Sequence, residues 1–148
     1  MPADVPTVTV TFLVSDIEDS ARLWEEGSTE IAAAVEIHDS IVRGTIERQG
    51  GYVFATGDDG FAAAFSTAAD AAEAAIEIQL KLVADPATTP LGVRIGLHTG
   101  VAAARNGNYS GTEVNRAARV MSVAHGGQIV VSDTTRALLR NQFMPRPA

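Results

Sequence analysis

Asp16 and Asp59, far apart in the chain, are the first residues whose type and setting could do chemistry. Asp16 follows a run of alternating, β-branched residues, and Asp59 lies within Thr56-Gly57-Asp58-Asp59-Gly60, a turn-rich segment between two short apolar runs. A carboxylate at a strand end and another at a hairpin tip, on strands able to pair, suit Mg²⁺. This hard cation is typically held by one or two carboxylates and fills its remaining positions with water and substrate phosphates. Two plainer readings stay open: solvated turn aspartates, and a helix N-cap at Asp16, with Asp19 or Ser20 able to cap a short helix through Glu26. Asn115 and Arg119 form a second pair. Four residues apart on a helix, they lie on one face a turn from each other, flanking an apolar stripe of Val114, Ala117, Ala118 and Met121. A solvated helix face accounts for that spacing as well.

The elements that must position these residues follow from hydrophobic period and turn chemistry. Residues 7–15 read as a strand that presents Asp16 at its C-terminal end. Ile31, Ala34, Val35, Ile37, His38, Ile41, Val42 and Ile46 recur at helical spacing over 29–49, and Gly50-Gly51 ends the run. Residues 52–55 and 61–65 read as a β-hairpin with Asp59 near its tip. A helix is expected over 68–84, closed by Asp85-Pro86, then strands over 91–99 and 101–104 flanking Gly100, and a polar loop over 105–111. A helix over about 112–124, a strand over 128–132 and a helix over 134–139 complete the chain. This order implies an α+β fold, a ferredoxin-like and mostly antiparallel sheet with helices packed on one face. It forms one domain over 1–148, with its core over about 8–140 and frayed ends at 1–6 and 141–148.

Composition narrows the function. With 148 residues, 46% of them apolar, the chain is long enough to bury a substantial core. The lack of cysteine excludes disulfides, thiolate catalysis and cysteine-ligated zinc. His38, His98 and His125 lie in separate elements without the spacing of a zinc helix motif, so structural roles are expected for them. Residues 1–6 have neither a basic leader nor an apolar core, so no secretory signal is expected, and no run approaches the roughly 20 apolar residues of a membrane span. A cytoplasmic protein without membrane insertion is therefore expected. A formal charge of −7 argues against long nucleic acids as partners. The 11 basic residues include a single lysine, Lys81, placed mid-helix as a surface residue. Phe12 and Trp24 read as core residues.

Residues 10–24 (VTFLVSDIEDSARLW), 59–65 (DGFAAAF), 93–100 (VRIGLHTG) and 114–119 (VNRAAR) together resemble class III adenylate and guanylate cyclases of the bacterial type. The resemblance spans roughly residues 8–132, in order and without large gaps. It implies that Asp16 and Asp59, with the Ile17 carbonyl, bind two Mg²⁺ or Mn²⁺ ions. One would help deprotonate the ribose 3′-hydroxyl of a nucleoside triphosphate and the other would neutralise the leaving pyrophosphate. It also implies that Asn115 orients the ribose, that Arg119 stabilises transition-state charge on the phosphate, and that the turn Glu18, Asp19, Ser20, Ala21 faces the phosphates. Because the family places the asparagine and arginine in one subunit and the aspartates in the other, a homodimer with shared active sites is implied.

The chain departs from the family pattern at informative places. Ala55 stands where adenylate cyclases carry a purine-reading lysine, and Asn108 where they carry its partner aspartate. The two would line the base pocket but discriminate ATP from GTP poorly, since rejection of an analogue relies on leaving buried polar groups unpaired. The family's triphosphate-binding lysine has no counterpart before Ala148. Asp19 and Ala21 replace a glycine and a threonine of the phosphate-facing turn, and Asp58 replaces another glycine. Weak turnover, better supported by Mn²⁺ than by Mg²⁺, is the expectation. A degenerate module that binds nucleotide or a partner cyclase and regulates is the alternative. A diguanylate cyclase, suggested by Asp58-Asp59-Gly60-Phe61, fits the remaining segments less well.

Overall fold

The computed structural model describes residues 7–57 and 60–143, so Asp58 and Asp59 lie outside the described residues. Ten elements follow one another: β1 (Thr7–Ile17), α1 (Ser20–Glu26), α2 (Thr29–Arg48), β2 (Tyr52–Thr56), β3 (Phe61–Phe65), α3 (Ala68–Ala84), β4 (Val93–Ala103), α4 (Thr112–Ser122), β5 (Ile129–Val131) and α5 (Asp133–Phe143). The strands form one sheet in the order β2-β3-β1-β4-β5. All pairs are antiparallel except β4 with β5, whose parallel pairing needs a crossover connection, supplied by α4. The α+β class and mostly antiparallel sheet are as expected.

Side-chain alternation along β1 sorts the molecule into two layers. Leu13 and Ile17 point to the face covered by α2 and α3, where Val35, Val42, Ile46, Ala71, Ala75 and Ile78 complete the main core and Leu139 of α5 packs at its margin. Val10 and Phe12 point to the opposite face, which Ala64 and Ala117 help to close. Helix α4 therefore lies across the face opposite α2 and α3, so helices cover both faces of the sheet and not one face as the element order suggested, because the parallel β4–β5 crossover carries α4 over the other side. Phe12 is fully buried there and meets Phe54 and Tyr109 edge to face, with centroids 5.8 and 5.4 Å away. Each such pair adds about 0.5–1.5 kcal/mol to the burial itself.

Three local features differ from expectation. Gly100 does not interrupt a strand: β4 runs unbroken through it, because Gly100 pairs with Val10 and leaves room for the Glu113 side chain above. The segment 105–108 is a tight two-residue turn in which Arg105 and Asn108 exchange backbone hydrogen bonds, with Asn106 (φ 52°) and Gly107 (φ 77°) both left-handed. Trp24 is 42% exposed, since the seven-residue α1 buries no side chain fully and only Leu23 reaches the core margin. The terminal expectations at 1–6 and 144–148 lie outside the described residues, and α5 continues through Phe143.

Candidate active site

Asp16 is the next-to-last residue of β1 and faces the α4 side of the sheet, in line with Val10, Phe12 and Val14. Directly opposite it in the β1/β4 register stands Arg94. The guanidinium grips the carboxylate with both prongs: Nε donates to Oδ1 at 2.7 Å and a terminal NH₂ to Oδ2 at 2.5 Å. The other terminal nitrogen reaches the Ser122 carbonyl, at the last residue of α4, at 3.4 Å. This ion pair is mostly shielded, its side chains being 19% and 23% exposed. Arg94 was not singled out in the sequence; the signal that points to it is a cation in the outward phase of a strand that pairs with β1.

The residues flanking the hairpin tip come to the same place. Gly60 packs so closely on the end of β1 that a Cβ there would stand 2.1 Å from the Ser15 carbonyl oxygen and 3.3 Å from Asp16 Cα. Gly57 donates its N–H to the Gly60 carbonyl at 3.0 Å, which closes the turn. The residue preceding Gly60 in the sequence is Asp59. A glycine cradle against a shielded carboxylate offers hard oxygen donors, and so fits a divalent cation better than a soft metal. Among the described residues, which do not include Asp58 and Asp59, no three acidic or histidine side chains gather into a group that could hold a metal ion.

The other residues of the turn are placed as follows. Ile17 pairs with Val93 and buries its side chain, so any ligation by this residue would fall to its backbone carbonyl. Glu18 turns away from Asp16: it accepts the Gly126 N–H at 3.1 Å and lies 3.5 Å from His125 Nδ1, tying β1 to the turn before β5. Asp19 takes the N-cap position of α1 in the left-handed conformation (φ 59°), and its side chain makes no capping bond. That backbone explains the substitution, since Asp is one of the few residues besides glycine that visit this region. Ser20 and Ala21 open α1.

On α4, Asn115 and Arg119 are exposed and one turn apart, while Ala117 is fully buried. The helix lies very close to β4: a Cβ on Gly96 would stand 2.4 Å from the Met121 backbone nitrogen. Polar ties fix it further. His98 Nε2 and Glu113 Oε2 are 3.3 Å apart, His98 Nδ1 and Ser132 Oγ 2.8 Å, and Glu113 also pairs with Arg116 at 3.1 Å. Ser132 connects through Thr135 and Thr99 to Thr11, so a buried polar line runs from β1 to α4. His98 thus has the structural role expected of it.

Ala55 and Asn108 are both exposed. A β-bulge between Val53 and Ala55 inserts Phe54 and pairs Ala55 with Ala62, and Tyr52 donates its hydroxyl hydrogen to the Gly107 carbonyl at 2.8 Å. Together with the Phe54–Tyr109 ring contact at 5.3 Å, this holds the 105–108 turn against β2. Lys81 pairs with Glu77 at 2.7 Å, and Arg48 also pairs with Glu77, in a surface cluster between α3 and α2.

An antiparallel sheet with a β4-α4-β5 crossover, a strand-end aspartate beside a hairpin tip, and an exposed Asn/Arg pair on the crossover helix together describe a nucleotide cyclase catalytic domain. The chain belongs to the adenylate and guanylate cyclase catalytic domain family, which matches over residues 3–146. An uncharacterised Mycobacterium tuberculosis protein is 40% identical over 140 residues, covering 93% of this chain and 47% of that protein. The adenylate cyclase of Lachancea kluyveri is 33% identical over 154 residues, covering 86% of this chain and 8% of the enzyme. The chain therefore spans about half the length of its mycobacterial relative and a small fraction of the yeast one. Among solved structures, an adenylate/guanylate cyclase/hydrolase from Silicibacter pomeroyi superposes with a TM-score of 0.84 at 26% identity, covering 97% of this chain and 86% of that one. No helix among the described residues is long and apolar enough to cross a membrane.

Proposed function

We propose that this chain is a cytoplasmic nucleotide cyclase module that converts ATP, or GTP with little discrimination, into the 3′,5′-cyclic monophosphate and pyrophosphate, working as a homodimer. The observation that carries the reading is the seating of Gly60 on Ser15 and Asp16, which brings the hairpin carrying Asp59 to the end of β1. Asp16, Asp59 and the Ile17 carbonyl would hold Mg²⁺ or Mn²⁺. When bound, the metal supplies positive charge beside the triphosphate and lowers the proton affinity of the ribose 3′-hydroxyl.

The chain's own residues supply orientation and fixed charge. Asn115 would hydrogen-bond the ribose, and Arg119 would stand beside the α-phosphorus as its bond to the 3′-oxygen forms and its bond to pyrophosphate breaks. Asn115 lies seven residues before Ser122, the α4 residue tied to Arg94 beside Asp16, which is about 10 Å along a helix axis. A site shared between two chains, in which α4 of one serves the acids of the other, rests on the family resemblance. Ala55 and Asn108 would line the base pocket.

A regulatory module that binds nucleotide or a partner cyclase is the second reading, favoured by the engagement of both Asp16 oxygens by Arg94. One assay separates the two: the purified chain with ATP or GTP and Mn²⁺ or Mg²⁺, beside Asp59→Ala. Cyclic product from the parent chain alone is the expected result. Equal absence of product from both chains would leave the regulatory reading standing.

A further inference from the structure

Arg94 occupies Asp16 in the manner a metal would. Each carboxylate oxygen receives a guanidinium N–H at hydrogen-bond length, and the ion pair is largely withdrawn from solvent, where like-charge repulsion is weakly screened. An ionised carboxylate offers about four lone-pair sites. A divalent ion arriving at either oxygen therefore meets a fixed cation already bound to that oxygen. The two cations compete unless the guanidinium swings aside. The planar fork makes the hold specific, because it matches both oxygens at once in a way an ammonium does not.

The same guanidinium is tethered to α4 through the Ser122 carbonyl. Helix α4 is otherwise held at its first turn through Glu113 and His98 and along its length by the close approach at Gly96. Arg94 is thus a three-way link between the acid at the end of β1, the strand β4 and the C-terminal end of the helix that carries Asn115 and Arg119.

We propose that Arg94 is an internal counter-cation that competes with divalent metal for Asp16, and that its bond to Ser122 couples metal entry to the C-terminal turn of α4. The inference rests on the reading of Asp16 as a metal ligand. Displacement of Arg94 from the Asp16 carboxylate on metal entry alters its hold on the helix end, so the metal state of one acid is felt by the helix proposed to serve the partner's site.

The test is direct Mn²⁺ binding to the whole chain without nucleotide, read from the free-ion electron paramagnetic resonance signal, for the parent, Arg94→Gln, Arg94→Lys and Asp16→Asn. Hydrogen exchange of residues 112–122 is followed in parallel. Arg94→Gln is expected to tighten Mn²⁺ binding about tenfold, equivalent to ~1.4 kcal/mol. Arg94→Lys should fall between it and the parent, and Asp16→Asn should bind least. Mn²⁺ should speed exchange at the C-terminal turn of α4 in the parent, while Arg94→Gln exchanges fast there with or without metal. If Arg94→Gln is misfolded by circular dichroism, Arg94→Lys, which keeps the charge and loses the fork, carries the test. Equal or weaker binding in the Arg94 variants, with binding still dependent on Asp16, would overturn competition and leave the cyclase reading intact. Binding indifferent to Asp16, or absent from every chain, would remove the metal reading and this inference with it.

Discussion

Replacing Gly60 with alanine tests the geometry on which the proposed site depends. The added Cβ would start 2.1 Å from the Ser15 carbonyl oxygen, and real Cβ atoms essentially never approach closer than 3.0 Å, so about 1 Å of separation must be found. Ser15 cannot supply it cheaply, because β1 is held on both sides, by β3 and by β4. The hairpin tip must move instead. Forced overpacking of this kind typically destabilises by about 1–3 kcal/mol, which a domain of ordinary stability, about 5–15 kcal/mol, survives. Misplacing a reacting group by about 1 Å lowers rates by roughly 100-fold. Gly60→Ala should therefore remain folded in a urea titration, with its midpoint lowered, while cyclic nucleotide formation with Mn²⁺ falls about 100-fold. Parent-like turnover in Gly60→Ala, alongside an inactive Asp59→Ala, would refute the argument that the seating of this glycine positions the acid.

Gly96→Ala places a Cβ 2.4 Å from the Met121 nitrogen and should lift α4 from the sheet; turnover is expected to fall at least tenfold, with Mn²⁺ binding measured separately and changed less. The double substitution Ala55→Lys with Asn108→Asp restores at one site the base-reading pair that adenylate cyclases carry; the kcat/KM ratio for ATP over GTP should rise, and an unchanged ratio would mean these positions do not face the base. Thr99→Val removes the hydroxyl that bridges Thr11 and Thr135 inside the core. It should destabilise by about 1–3 kcal/mol in chemical denaturation by stranding buried partners, with less effect on KM than on stability.

The helices and strands were legible where the pattern is local. The apolar residues of α2 and α3 recur at helical spacing, and Gly50 together with Asp85-Pro86 ends them where the structure does. What was not legible is register across the sheet. Arg94 meets Asp16 because β1 and β4 pair in one of several possible alignments, and no local signal ranks those alignments. The bulge at Phe54 is similar: strict alternation from Val53 would place Ala55 on the α2 side, whereas its pairing with Ala62 sets it on the face of Phe12 and Asp16. The Asn106-Gly107 turn, by contrast, was available from a strong dipeptide signature and was absorbed into a polar loop. Resemblance to a family supplied roles for Asp16, Asn115 and Arg119 that spacing alone left open, and it passed over Arg94, because a partner that restrains a site residue is visible only once side chains are seen together.

The α4 side of the sheet differs in kind from the α2 side, and the difference bears on function. Against α2 and α3 the sheet offers Leu13, Ile17, Phe61, Ile95 and Leu97, large side chains that fill space and tolerate small shifts. Under α4, β4 offers Arg94, Gly96, His98 and Gly100: Gly96 lets the helix backbone come close, Gly100 makes room for the Glu113 side chain, and the two polar groups hold the helix at its opposite ends. Contacts of that type are directional and lose much of their strength with displacement. A helix needed only to cover apolar surface would not require them. On the proposed reading, in which α4 presents Asn115 and Arg119 to a second chain's substrate, it would, and this makes α4, more than either acid alone, the part of the fold on which activity should depend most steeply.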